Sequence, residues 1–408
     1  MGSQMTVFAV VIGIVANCLA LIPVGLLFVE VLLAATSKWP PETEEKSVRR
    51  SGAFAVIVPA HNESANLVPT LRDIRAQLAT GDRLVVVADN CADDTAEIAA
   101  REGAEVVERS DPSRKGKGYA LERGVQHLRA APPDVAIVVD ADCRVENGAL
   151  ERLYAVAEAT GRPAQAFYSM RSAAGGAVNR QVAEFAWTLK NFIRPLGLSA
   201  LGLPCHLMGS GMAFPWSVIS SAELGTDNVV EDLKLGVELA LQRRPPIFCP
   251  DAGVVSYFPD SEAAAEGQRK RWEQGHVTLF LTTGLPLLPR AVVERNRSLL
   301  GLLLDLAIPP ASMLVVALLA LASASFVLFL CSGVAAPLLL GGVDILIFAA
   351  AIGLAWARFG QRILPINAVL SILPYMVKKL VLYARMLRHR GPLEWNRTER
   401  GGSSGDSR

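Results

Sequence analysis

Long apolar runs open and close this chain, and between them short β-branched runs alternate with amphipathic stretches of helical length. Met5 to Ala35 is interrupted only by Asn17, Pro23 and Glu30, enough to cross a hydrocarbon layer of about 30 Å. No basic residue precedes it, whereas Lys38, Lys46, Arg49 and Arg50 follow. That asymmetry favours a retained anchor over a cleaved signal peptide and places the N-terminus outside. Charged, proline-bearing residues 37–52 predict a linker. From Ala53 the runs predict strands at Ala53 to Val58, Leu84 to Ala88, Ala104 to Val107 and Val135 to Val139. Helices are expected at Asn66 to Leu78, Asp93 to Arg101 and Gly118 to Leu128. This alternation specifies an α/β domain with a doubly wound, mostly parallel sheet, inserted between membrane helices.

The C-terminal third returns to apolar sequence. An amphipathic stretch, Val277 to Val293, predicts an interfacial segment over 277–298, and 299–358 predicts a hairpin of two spans, Ala311 to Leu330 and Ala335 to Ala357. Arg358 and Arg362 mark a cytoplasmic exit, and Ile363 to Leu387, broken by Pro365, Asn367 and Pro374, reads as an interfacial or re-entrant helix, a fourth span being the alternative. Residues 359–400 then carry that helix and a basic tail, and 401–408 a Gly/Ser-rich end without expected order. The remaining span, 53–276, is the expected cytoplasmic catalytic domain, so the chain is predicted to be a multi-pass protein of the inner (cytoplasmic) membrane.

Composition changes this picture little. Of 408 residues 51% are hydrophobic, too many for a purely soluble chain, and the formal charge of +1 provides no field for nucleic acid. Six scattered cysteines show neither a disulfide framework nor zinc spacing.

Candidate chemistry gathers where strands end. Val135 to Val139 runs into Asp140-Ala141-Asp142, two carboxylates at a strand tip, where open α/β sheets bind ligands and where Mg²⁺ or Mn²⁺ takes carboxylate and phosphate oxygens. The first strand ends at Pro59-Ala60-His61-Asn62-Glu63 with no Gly-x-Gly-x-x-Gly, which argues against a dinucleotide fold. The second ends at Asp89, an acceptor for a nucleoside, while Asp93 and Asp94 suit helix caps. Arg114-Lys115-Gly116-Lys117-Gly118 offers cations and open backbone to a phosphate, or is a solvated loop. A Gly-rich passage with Met208-Gly209-Ser210-Gly211 suits a substrate groove built from loops. Glu231 and Asp232 begin a helix running to Leu241, one acid suiting the helix dipole and the other a general base. Gln268-Arg269-Lys270-Arg271-Trp272 sits just before the membrane return, as a lid on the site or a lipid-contact patch.

In that order the Pro-x-His-Asn-Glu turn, the Asp89 tip, Asp-Ala-Asp, Glu-Asp and Gln-x-x-Arg-Trp resemble the membrane-bound family 2 glycosyltransferases, which include cellulose and hyaluronan synthases and ceramide glucosyltransferases. The resemblance covers Phe54 to Trp272 and implies a GT-A-type fold. It implies that Glu63 and Asp89 contact the nucleoside of a nucleotide-diphosphate sugar, with Lys117 also on the nucleotide sugar, Asp140 on its ribose and Asp142 on a divalent cation (Mg²⁺ or Mn²⁺). It makes Asp232 the catalytic base, and sets Glu231, Gln268, Arg271 and Trp272 on the diphosphate and acceptor. Where the family usually has Asp-Asp-Gly-Ser this chain has Ala88-Asp89-Asn90-Cys91, which leaves the base preference open. The implied activity is inverting transfer to a lipid-linked or growing glycan acceptor, in exopolysaccharide or glycolipid synthesis, with membrane lipid and polysaccharide assembly partners and no nucleic acid. A nucleotidyltransferase on the same sheet and an inactive scaffold of an assembly complex are the alternatives.

Overall fold

The computed structural model describes residues 2–37, 39, 52–172, 178–226, 228, 230–259 and 261–366. Most of the expected 37–52 linker, the helix expected at Ile363 to Leu387 beyond Ile366, and the tail from Gly401 lie outside the described residues.

Among the described residues eight strands form one sheet: β1 Phe54–Ala60, β2 Arg83–Asp89, β3 Glu105–Arg109, β4 Val135–Val138, β5 Arg144–Val145, β6 Ala164–Arg171, β7 Met212–Pro215 and β8 Ile247–Tyr257. Their spatial order is β3-β2-β1-β4-β7-β6-β8-β5. The first four are parallel throughout, in accord with the buried β-branched runs, whereas β7 lies antiparallel between β4 and β6. Strand β6 pairs parallel with β8 and β5 antiparallel with β8, so the sheet is mixed in its later half. The helices Leu67–Arg75, Thr95–Arg101 and Lys117–Leu128 start and stop within a few residues of the boundaries read from periodicity.

Period-two alternation sorts the strand residues into two cores. Phe54, Val56, Val58, Val135 and Ile137 pack with Leu67, Leu71, Leu150 and Leu153 on one face. Ala55, Ile57, Val85, Val87, Ala136 and Val138 pack with Leu121, Val125 and Leu128 on the other. With both faces covered, ligands have access only at the strand ends.

Among the described residues four helices are long and apolar enough to cross a membrane: Gln4–Thr36, Ala265–Val293, Ala311–Ser332 and Ala336–Gly360. Gly333, with φ +73°, turns the chain between the last two. The segment expected to be interfacial continues without a break from the helix Glu262–Leu279, through a π turn at Phe280–Gly284, into Leu285–Val293.

The helix Gly2–Thr36 is bound to both halves of the molecule. Asn17 Nδ2 donates to Ser325 Oγ at 3.2 Å, a polar contact between apolar helices. Near its other end Glu30 Oε2 lies 3.0 Å from Arg194 Nε, and Arg194 Nη2 lies 2.7 Å from Asp305 Oδ1. Asp305 Oδ2 also meets His206 Nε2 at 3.2 Å. Gly197 backs onto this helix so closely that a Cβ there would come within 2.0 Å of the Glu30 carbonyl oxygen.

Candidate active site

A cavity of ≈ 320 Å³ opens beyond the C-terminal ends of β1, β2 and β4. Glu63, Asp89, Lys117, Asp140, Asp142, Glu231, Asp232, Gln268, Arg271 and Trp272 all line it. Two asparagines with positive φ, Asn62 (54°) and Asn90 (51°), turn the chain sharply off β1 and β2. The turns are tied together: His61 Nδ1 donates to the Asp89 carbonyl at 2.6 Å, and the Glu63 amide donates to Thr95 Oγ1 at 2.9 Å. Asp89 is buried, and its Oδ1 accepts from Arg109 Nη1 at 2.6 Å and from Asn90 Nδ2 at 3.1 Å.

Lys117 opens the helix Lys117–Leu128, where its ammonium donates to Asp140 Oδ1 and, at 2.7 Å, to the Gly209 carbonyl. Gly209 can present that carbonyl because its φ of +91° is open to glycine. Asp140 is fixed from behind, its amide donating to Ser210 Oγ at 3.0 Å. Glu231 and Asp232 occupy the first turn of the helix Glu231–Leu241, and Asp232 Oδ1 accepts from the Leu233 amide at 2.8 Å. Gln268, Arg271 and Trp272 stand at i, i+3 and i+4 of one helix, so a single face delivers all three to the cavity. Of the cations in Arg269-Lys270-Arg271, only Arg271 lines it. The Trp272 ring packs 5.0 Å from Trp187, whose Nε1 donates to the Tyr168 carbonyl at 2.8 Å.

Residues 51–275, more than half of the chain, match the family described as Glycosyltransferase like family 2. The chain belongs to that family. Uncharacterized glycosyltransferases of Mycobacterium bovis and Mycobacterium tuberculosis are 42% identical over 103 residues, which is 25% of this chain and 43% of theirs. The match therefore spans less than half of those relatives' length. A low-salt glycan biosynthesis hexosyltransferase of Haloferax volcanii is 33% identical over 128 residues, covering 30% of this chain and 26% of that one. The solved mannosyltransferase of Pyrobaculum calidifontis, in complex with GDP-Man and Mn²⁺, shares the fold at a TM-score of 0.53 and 18% identity, over 84% of this chain and 98% of that one. The α/β domain is thus of GT-A type, flanked by apolar helices on both sides.

In this glycosyltransferase-family chain burial and crowding set the charges. Burial pushes the Glu231 carboxyl up to about 8, with the adjacent Asp232 charge adding to the effect. Burial also raises Asp232, against the pull of its hydrogen bond from Leu233 and of the Lys117 and Lys190 charges. Lys117 moves the other way from its own burial: Asp140, Glu231 and Asp232 around it hold the ammonium charged above its ordinary value. For Lys190 burial wins, lowering it against the pull of the Asp232, Asp305 and Glu273 charges and with the Arg194 charge adding to the effect.

Sequence reasoning missed several residues of the site. Arg109 ends β3 and holds Asp89, while its guanidinium lies 5.4 Å over the Tyr119 ring. Lys190, Arg194 and His276 also line the cavity, and no motif in the sequence singled them out. The Gly209-Ser210 pair stood out as a groove, and the structure shows its purpose, one carbonyl for Lys117 and one hydroxyl behind Asp140.

Proposed function

We propose that the chain transfers a sugar, with inversion, from a nucleoside-diphosphate sugar to an acceptor hydroxyl at the cytoplasmic membrane face. The convergence of ten residues from six separated stretches on one cavity carries this reading. The mannosyltransferase and hexosyltransferase named above make a hexose the first choice of donor sugar.

Glu63 and Asp89 face the nucleoside; Arg109 and Asn90 occupy Asp89 Oδ1, so Oδ2 is the oxygen offered to the donor. Asp140, locked by Lys117 and Ser210, holds the ribose, while Lys117 and Arg271 bring positive charge to the diphosphate. Among the described residues no three His, Cys, Asp or Glu side chains form a cage for a metal. That donor set fits Mg²⁺ or Mn²⁺ bound through one or two carboxylates plus substrate phosphates, and Asp142 beside Asp140 supplies it. Such a cation, when bound, offsets the charge that develops on the departing diphosphate.

Asp232 accepts the proton of the attacking hydroxyl. Burial raises both acids, Glu231 to about 8, while the hydrogen bond from Leu233 and the Lys117 and Lys190 charges pull Asp232 back toward the charged form a base needs. Gln268 and Trp272 close the acceptor side, the indole offering a flat apolar face on which a sugar ring stacks. The polysaccharide or glycolipid setting, the cytoplasmic placement of residues 53–276 and the boundaries drawn around them belong to the same proposal.

The test is to incubate the purified full chain in detergent with a panel of nucleotide sugars and to measure nucleoside diphosphate and pyrophosphate release, with and without chelator. Nucleoside diphosphate release that chelation stops is the expected result. Pyrophosphate release would assign a nucleotidyltransferase instead, and silence across the panel would leave a scaffold.

A further inference from the structure

Gln165 sits in β6 between Ala164 and Ala166 and is fully buried. Hiding a side-chain amide costs free energy unless its donors and acceptor are matched. The loop that precedes β7 matches them. Nε2 donates at 2.9 Å to the Ser210 carbonyl and at 2.9 Å to that of Ala166, while Oε1 accepts from the Met208 amide at 2.8 Å. One side chain therefore grips the backbone on both sides of Gly209.

The grip begins where the pairing of the sheet gives out. The Gly211 carbonyl still accepts from the Ala166 amide at 2.8 Å, and the Gly211 amide donates to the Val138 carbonyl at 2.9 Å. Gly211 and Gly209 have φ of +68° and +91°, left-handed values that take the chain out of line with β7. Two glycines in three residues make this a loose backbone by itself, and its buried peptide groups need partners from outside the loop.

The same three residues touch most of the charged groups of the cavity. Gly209 gives its carbonyl to Lys117 Nζ at 2.7 Å, and Ser210 Oγ accepts from the Asp140 amide at 3.0 Å. Ser210 Oγ in turn donates to Cys143 Sγ at 3.4 Å, and that thiol donates to Asp142 Oδ1 at 3.7 Å. A Cβ on Gly209 would stand 3.4 Å from Asp232 Oδ2 and 3.7 Å from Lys117 Nζ. Lys117, Asp140, Asp142 and Asp232 are thus all placed against residues 208–210, and Gln165 holds those residues without lining the cavity itself.

We propose that Gln165 is a positioning residue: by clamping Met208 and Ser210 it aims the Gly209 carbonyl at Lys117 and so fixes where that ammonium stands in the cavity. Fully satisfied buried polar groups of this kind hold a backbone to one arrangement. Without the clamp the carbonyl turns away, and Lys117 keeps Asp140 but loses its second acceptor. The inference rests on the glycosyl-transfer reading only for its effect on donor affinity.

The experiment uses the full chain in detergent and the variant Gln165→Met, which keeps the length of the side chain and removes the amide. Acetylation by acetic anhydride without nucleotide, followed residue by residue by mass spectrometry, should be about fivefold or more faster at Lys117 and unchanged at Lys234. Calorimetry with UDP, GDP, CDP and ADP should show the nucleotide that the parent prefers bound about fivefold or more weakly. The double variant with Lys117→Gln should bind it no more weakly than Lys117→Gln alone, since both changes act through one ammonium. Should Gln165→Met fail to fold, Gln165→Asn, too short to reach both partners, is read in the same way. Unchanged labelling of Lys117, or additive losses in the double variant, would overturn the proposal and leave Gln165 as a polar residue of the core. Faster labelling in a protein that binds no nucleoside diphosphate removes the transferase reading alone.

Discussion

Asp232 and Glu231 are neighbours in one helical turn, and burial raises both carboxyls, Glu231 to about 8. Asp232→Asn is expected to lower the turnover rate by about 10² or more with little change in donor KM, because the lost interaction belongs to the transition state. Glu231→Gln should be milder, and equal damage from both in steady-state kinetics would move the base role to the pair. The same acids make stability depend on pH. Glu231 titrates near 8 when folded against an ordinary 4.5, so between those values the folded chain holds a proton that the unfolded chain has lost. The slope is therefore negative: this group's contribution falls as pH rises from 4.5 to about 8 and changes no further beyond. Thermal unfolding without nucleotide should show a shallower decline across that window in Glu231→Gln than in the parent protein. Among single residues, the acids at strand tips were legible because a β-branched run stops at them. Arg109 was not, since Val106-Val107-Glu108-Arg109 reads like any strand running out to solvent.

At the level of elements, β1, β2 and β4 were legible because burial on both faces makes each a nearly unbroken apolar run. Strands β6 and β8 were not, because polar residues interrupt them and are satisfied only by tertiary partners. Buried Gln165 in β6, for instance, donates from Nε2 to the Ser210 carbonyl at 2.9 Å and accepts at Oε1 from the Met208 amide at 2.8 Å. The π turn that carries Lys190 had no sequence signal, its residues suiting an α-helix equally well. The start of the helix Lys117–Leu128 gives a test at this scale. A Cβ on Gly118 would stand 2.3 Å from the Leu224 carbonyl oxygen and 2.8 Å from that of Thr226, both backbone atoms with little freedom to yield. Gly118→Ala should displace Lys117 and weaken nucleotide binding several-fold by calorimetry. Gly267→Ala, in open space on another helix, should be neutral or stabilising by up to about 1 kcal/mol.

For the whole molecule, alternating sheet and helix pattern and the apolar runs foretold a catalytic domain set between membrane helices. What they did not foretell is how the two parts are joined, because Glu30, Arg194 and Asp305 are far apart in sequence and each is a lone charge in its own segment. Arg194→Met leaves two buried carboxylates unmatched and should lower stability by about 3–5 kcal/mol. The triple change Arg194→Met, Glu30→Leu and Asp305→Leu should recover most of that loss in thermal unfolding of the detergent-solubilised protein. Recovery would show that the triad fixes arrangement more than it adds stability.

The close seat of Gly197 on the Glu30 carbonyl extends the point to geometry. With backbone against backbone and Arg194 gripped from two sides, the wall of the cavity that Arg194 lines is seated directly on the anchor helix. Under the proposed transfer, the reacting carbon then keeps a set distance from that helix. For the proposed acceptor rooted in the bilayer, reach becomes the gauge: a head too short never climbs to that carbon, and one too long overshoots it.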